Sequence, residues 1–472
     1  MAIDNPSNMA EALADPKKVK EAKARLKEAG VKYVMSVWID LLGQPKTKPV
    51  PLADFELLCA GKGPQFAVHS ISFVPELGPA DSDQIMVPDL DTLRICPWNR
   101  EVAWVYADLW WEDKPYNLCP RSALKRVTRD AAAKGYAVFC GVEPEFYAIR
   151  WQDGQPVKAI EDDPLDSSNR PRRQAFGYDV EFSFNSMDFL GDLIDMLEEL
   201  DWDIHDVVCE GGYSQFELDF GYTDVLSMAD RLVFLRIMVK EVAKKHGMFV
   251  TFMPKPTLGD WRSGAHINSS VQKIDNLGVN LFDNGNGGWG EDVYHAVAGL
   301  LKHGGAHTAI ACPTVNSYNG LVPRVGGFEG GTVTWAPTHM TYGMNNRSAM
   351  LRLPQARYCI ENRAADMCMN PYLGMGMTTA AIVEGIVEKL DPGKPLNEDL
   401  YSLTEAEIEA SGAQRLPRNL LEAIEILKGD ELAKEVLGES MLASFLHYKI
   451  DEWERYHQAV TDWEVQEYLR LY

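Results

Sequence analysis

The sequence predicts mixed helices and strands in two units, a small N-terminal one and a larger C-terminal one. Three observations carry this. The chain has 472 residues, more than one ordinary domain requires. Up to about residue 118 it reads as a helix followed by a small group of strands. From Cys119-Pro120-Arg121-Ser122 the segments lengthen and alternate, which places the boundary between 1–118 and 119–472.

Taken in order, residues 16–29 combine Lys, Glu, Ala and Leu with Gly30 directly after them, the composition and stop of a helix. Tyr33 to Ile39 is a β-branched and aromatic run that reads as a strand, turning at Gly43-Gln44 into a Lys/Thr-rich return. Another strand is expected over Glu101 to Leu109. Pro120 suits the first position of a helix that continues to about Lys134. The apolar run Tyr136 to Val142 then reads as a core strand. Helices are expected near 186–200, 224–245 and 292–303, and a largely helical tail from Leu416. No internal repeat or low-complexity tract interrupts this pattern.

The core strand ends in Val142-Glu143-Pro144-Glu145-Phe146. Residues two apart on a strand share a face, so Glu143 and Glu145 project together beside an apolar interior. Such a pair repels unless it is protonated or bridged by cations. An isolated Glu-x-Glu is most often a solvated strand face, but this one is not isolated. Glu210 and Glu217 bracket a Gly-Gly turn, and Gln215, Glu217 and Asp219 alternate with Phe216, Leu218 and Phe220 as on a second strand. A third, 263–270, puts His266, Asn268 and Ser270 on one side.

With 46 basic and 69 acidic residues the net charge is −23, which argues against a general nucleic-acid binder, whose affinity comes from neutralising phosphates. Hydrophobic residues make up 46%, enough for a sizeable core. No stretch approaches the roughly 20 apolar residues that cross a bilayer, and Met1 to Lys18 lacks the apolar segment of a signal peptide. The 8 cysteines contain no Cys-x-x-Cys pair, so a reducing, cytoplasmic setting is expected.

The glycine-rich stretches 284–290 and 326–331 match neither a Walker A nor a dinucleotide-binding pattern. Arginines offer a different route to an anion. Arg347, Arg352, Arg357 and Arg363 fall close together, and guanidinium forks grip phosphates and carboxylates with two parallel hydrogen bonds. For any one of them a surface ion pair is an equally good reading.

In order, V-E-P-E-F-Y (142–147), E-G-G-Y-S-Q-F-E (210–217), T-F-M-P-K-P (251–256), S-G-A-H-I-N-S-S (263–270), N-S-Y-x-x-L-V-P (316–323), N-N-R-S-A-M-L-R-L-P (345–354), I-E-N-R (360–363) and N-P-Y-L (370–373) resemble the glutamine synthetase family. The resemblance is collinear from about residue 32 to the end. It implies an α+β fold: a small N-terminal β-grasp domain, then a catalytic domain on a curved antiparallel sheet with flanking helices. It also implies a homo-dodecamer of two hexameric rings with active sites between neighbouring subunits.

The resemblance further implies ATP as co-substrate and two or more Mg²⁺ or Mn²⁺ ions. One ion falls to Glu145, Glu210 and Glu217, the other to Glu143, His266 and Glu361, donors that suit hard cations. Phosphoryl transfer from ATP to the glutamate side chain would be followed by attack of an amine on the acyl phosphate. Arg347 and Arg352 match arginines that contact the phosphates, Asn268 and Ser270 match nucleotide-contacting positions, and Arg363 matches an arginine that holds glutamate. Glu329 corresponds to the flap glutamate that shields the acyl phosphate and accepts an amine proton. Tyr401 resembles a tyrosine adenylylated in some members, although a structural role is the commoner one.

Departures from the family pattern shape the substrate expectation. Where typical members have F-D-G-S-S, with an aspartate that attracts ammonium, this chain reads Phe66-Ala67-Val68-His69-Ser70-Ile71. Losing the anion while gaining apolar groups favours an alkylamine, with about 0.8 kcal/mol for one buried methyl and roughly 1–3 kcal/mol of discrimination in such pockets. The expected reaction joins glutamate to a small primary amine, foremost methylamine; ammonia and polyamines are the alternatives. The family arginine before L-V-P is Gly320, with its replacement by Arg324 left open, and D-N-G-S-G becomes Asp260-Trp261-Arg262-Ser263-Gly264. A non-catalytic relative need not keep all six metal ligands, and all six are present.

Overall fold

A computed structural model describes residues 6–67, 78–160, 177–212, 214–257, 261–321 and 335–472. Val68 to Ile71, Arg324 and Glu329 lie outside the described residues, as does Asp260.

After a single helical turn at Met9–Ala12, the helix Pro16–Glu28 starts with Pro16 behind Asp15, whose carboxylate accepts a hydrogen bond from the Lys17 amide. Seven strands follow: β1 (Tyr33–Ile39), β2 (Pro45–Pro51), β3 (Gln65–Phe66), β4 (Gln84–Pro88), β5 (Arg94–Cys96), β6 (Asn99–Trp111) and β7 (Lys114–Pro115). They form one sheet in the order β2-β1-β6-β4-β3, with β5 and β7 also on β6. β1 runs parallel to β6 and the other pairs are antiparallel.

Strands β8 (Tyr136–Gln152), β9 (Gln155–Lys158), β10 (Ile204–Cys209), β11 (Gln215–Phe220), β12 (Thr223–Asp224), β13 (Phe249–Thr251), β14 (Ala265–Lys273), β15 (Asn276–Asn280), β16 (His339–Met344), β17 (Ala349–Leu353), β18 (Ile360–Asn362) and β19 (Gln414–Arg415) make the second sheet. Its order is β10-β11-β8-β14-β18-β17-β16-β19. Pairing is antiparallel along this path except between β16 and β17, which run parallel. One face of β8 presents Val138, Cys140, Val142, Phe146 and Ala148 to the core. Its other face carries the two glutamates.

Helices cover the apolar side. Pro120–Ala133 and Val225–Lys245 pack on β8, and both pack on Pro371–Glu388. That last helix is buried around nearly its whole circumference, as its Leu/Met/Ile/Ala/Gly composition demands. The helix expected from residue 186 begins earlier, at Val180, because Asp179 caps it through the Phe182 amide. The tail is helical over Leu420–Gly429, Glu431–Leu437, Glu439–His457 and Asp462–Tyr468.

Polar contacts tie the first sheet to the helices. Arg121, 2% exposed, binds Asp89 and Asp108 at the first sheet and Asp230 of the helix Val225–Lys245. Three carboxylates around one guanidinium satisfy its donors, which a buried charge requires. Asn370 donates to the carbonyls of Asp40 and Leu41. At the same place Gly43 has φ +79°, and a Cβ there would lie 2.8 Å from Asn370 Cα, so only glycine permits the approach.

Candidate active site

Strand register assembles the site. Glu217 on β11 stands opposite Glu145 on β8, His266 on β14 opposite Glu143, and Glu361 on β18 opposite both Asn268 and Arg352. Four adjacent strands therefore bring their polar residues to one face, as the two-residue period requires. The expected alignment of Glu143 with Glu145, and of His266 with Asn268, is what the structure contains.

His266 sits between the two glutamates of β8. Its Nδ1 is 3.1 Å from Glu143 Oε2 and its Nε2 is 3.9 Å from Glu145 Oε1. Glu143 also accepts from Asn268 Nδ2 at 3.0 Å and from both terminal nitrogens of Arg357 at 3.2 Å. Burial opposes ionisation of Glu143, but His266, Arg357 and Asn268 outweigh it and hold the carboxyl down at about 2. Glu145 accepts from Gln215 Nε2 and the Gly264 amide, both at 3.0 Å.

The β11 side is anion-rich. Burial, then the charge of Glu145, pushes the Glu210 carboxyl up to about 7. Burial followed by Glu145 and Glu143 drives Glu217 well above the usual carboxylate range. Asp219 rises to about 8 through burial and Glu143. Ligand atoms of Glu143, Glu217 and His266 lie within 4.8 Å of one another. This close trio draws on both of the ligand sets expected from sequence. Crowded carboxylates with a neighbouring imidazole are a donor set that fits a hard divalent cation.

Three of the four clustered arginines are bound to the site's own acids. Arg352 donates to Glu361 Oε2 at 2.7 Å and to Asn345 Oδ1 at 2.7 Å. Arg363 binds the other oxygen of Glu361, and its Nη2 donates to the Trp335 carbonyl at 3.3 Å. Arg357 holds Glu143, as above. Arg347 is exposed, with its guanidinium 5.6 Å from the centre of the Trp335 ring. Glu361 is buried, and despite that burial Arg363 and His266 keep its carboxyl below the usual range.

Of the remaining expected residues, Ser270 stands opposite Phe139, further along β14 on the Asn268 side. Glu210 lies at the end of β10 beside Gly211 and is half-buried. Tyr401 donates its hydroxyl to the Ala336 carbonyl. Sequence reasoning did not single out Gln215 or Asp219 as site residues, although the alternation that marked Glu217 runs through both.

The profile of the family "Glutamine synthetase, catalytic domain" matches residues 117–468. A glutamate–methylamine ligase of Methyloversatilis universalis is 35% identical over 458 residues, covering 96% of this chain and 99% of that protein. A glutamine synthetase of Rhizobium meliloti is 36% identical over 447 residues, covering 93% and 97%. Among solved structures, a "GmaS/ADP complex" superposes with a TM-score of 0.84 at 34% identity, covering 95% of this chain and 99% of that one. The chain belongs to the glutamine synthetase family. It has that family's α+β fold and is an ATP-dependent carboxylate–amine ligase.

Proposed function

We propose that this enzyme joins the γ-carboxylate of L-glutamate to a small primary amine, foremost methylamine, giving N5-methyl-L-glutamine through a γ-glutamyl phosphate. The four-strand face of carboxylates, imidazole and arginines supports the ligase chemistry. The choice of amine rests on one observation, the replacement of the ammonium-attracting aspartate by the apolar stretch at Ala67 and Val68. Similarity to the Methyloversatilis universalis ligase supports it. Equal similarity to glutamine synthetases keeps ammonia as the second reading.

In this proposal Glu145, Glu210 and Glu217 hold one Mg²⁺ or Mn²⁺, and Glu143, His266 and Glu361 a second. Bound there, the ions would neutralise charge on the transferring phosphoryl group. Arg347 and Arg352 face the phosphates of ATP, with Asn268 and Ser270 toward the nucleotide. Arg363 orients glutamate, and Glu329 takes a proton on the amine side. The chain divides at 118/119, a reading supported by the two separate sheets.

Association into a dodecamer is supported by the helix Asp462–Tyr468, which buries none of its residues while Trp463, Tyr468, Leu469 and Leu471 are exposed. A cytoplasmic setting is supported by 8 free cysteines. No helix among the described residues is long and apolar enough to cross a membrane.

Initial-rate ATP turnover by the purified full chain with glutamate plus ammonia, methylamine, ethylamine or putrescine tests the reading. Methylamine is expected to give the highest kcat/KM. A strong preference for ammonia or putrescine overturns it.

A further inference from the structure

Arg262 stands where the family pattern has glycine, and Gly320 where it has arginine. The two positions share one space. A Cβ at residue 320 would lie 2.5 Å from Arg262 Cδ, 2.6 Å from its Cβ and 2.9 Å from its Cγ. Any side chain at 320 therefore displaces the stem of Arg262.

That stem ends in a guanidinium whose side chain is only 5% exposed. Nη2 binds Asp366 Oδ2 at 3.0 Å, and Asp366 is itself fully buried. Nε and Nη1 donate to the carbonyls of Ser317 and Ala365, each at 3.3 Å. One planar fork thus joins the 315–320 turn, the segment after β18 and the lead-in to β14. A lysine, with a single charged nitrogen, cannot reproduce this spread.

The segment so anchored, 261–264, reaches the strands of Glu145 and Glu217 and the turn beside Glu210, the expected ligands of the first ion. The Gly264 amide donates to Glu145 Oε2 at 3.0 Å. Gln215, at the start of the strand bearing Glu217, donates to the Arg262 carbonyl at 3.4 Å and to Ser263 Oγ at 3.2 Å, as well as to Glu145. The Trp261 ring lies over Gly211, next to Glu210: a Cβ at Gly211 would be 2.6 Å from Cε2 of that indole.

We propose that Arg262, latched onto Asp366 in the space that Gly320 leaves open, is a positioning residue that sets Glu145, Glu210 and Glu217 for divalent-ion binding. The inference rests on the ion assignment proposed above. With its guanidinium turned onto Asp366 and the Ser317 and Ala365 carbonyls, Arg262 acts through Gly264, Gln215 and Trp261.

Manganese binding to the purified full chain, measured by calorimetry without ATP, tests this, with thermal unfolding recorded for each variant. Gly320→Ala removes no charge and Arg262→Lys keeps one. Each is expected to weaken Mn²⁺ binding about tenfold or more, the range for lost outer-shell support, while KM for ATP shifts less than about threefold. In an Arg262→Gly background, which empties the shared space, Gly320→Ala should add nothing. Wild-type Mn²⁺ affinity in both single variants overturns the inference, and so does full additivity of the pair. Should the wild type bind no Mn²⁺, the ion assignment itself falls, and the latch with it.

Discussion

Glu217→Gln should stabilise the ion-free protein and at the same time weaken its response to divalent ions. Oxygen atoms of Glu143 and Glu217 approach within 4.8 Å. At an effective dielectric of about 20, two unit charges at that separation repel by about 3.5 kcal/mol. Glutamine keeps the shape, removes one charge and mimics the protonated acid, so a gain of about 1–3 kcal/mol is expected in the absence of ions. For 472 residues an unfolding entropy of about 2.1 cal/mol/K per residue amounts to about 1 kcal/mol/K, which converts the gain into about 1–3 °C of Tm. Thermal melts in EDTA and in millimolar Mn²⁺ measure both effects. The wild type should melt lower in EDTA and rise with Mn²⁺, whereas the variant starts higher and rises less. A variant that melts lower than wild type in EDTA would show that the Glu217 charge supports the fold, and the reasoning would fail.

Two further outcomes follow from the site and its surroundings. Glu143 faces Arg357 and Asn268 while Glu145 faces Gln215 and Gly264, so Glu143→Ala should chiefly raise KM for ATP and Glu145→Ala chiefly impair glutamate activation, each by about tenfold or more; equal losses in both steps refute the division. His303 binds Asp430 Oδ2 at 2.7 Å and also Glu384, and although burial opposes its protonation these two acids raise its pKa above the ordinary 6.5. A raised folded-state pKa gives stability that is complete below 6.5 and is lost as pH climbs through the folded value. Urea titrations at pH 6 and pH 9 should therefore show a larger fall for the wild type than for His303→Asn, and parallel falls would contradict the linkage.

Local patterns in the chain carry much of this architecture. The helix after Asp15, the strand Tyr33–Ile39, the helix that opens at Pro120 and the period-2 faces of β8, β11 and β14 depend on neighbouring residues, and each is present in the structure. The face-sharing of Glu143 with Glu145 needed only strand geometry. What local patterns could not supply is register between strands distant in sequence. Glu217 opposite Glu145, and Glu361 opposite Asn268, are outcomes of tertiary pairing. The parallel pairing of β16 with β17 belongs to the same class. Arg262 and Asp366 are 104 positions apart, and nothing nearby in sequence marks them as partners. In sequence, arginines 352, 357 and 363 suit either an anionic substrate or an ion pair; the acids they bind in this structure are Glu143 and Glu361, an arrangement that depends on the folded sheet.

Because the donor groups reach the site from several strands distant in sequence, the sheet cannot be slightly misaligned and still bring them together. A slip of one residue between β8 and β14 would turn His266 away from Glu143 and bury it among the valines and phenylalanines of the other face. In the proposed assignment, ion binding would thus double as an inspection of chain folding. Only molecules whose distant segments have met in step could hold the proposed cation, and the binding energy would then favour those molecules over every misregistered competitor.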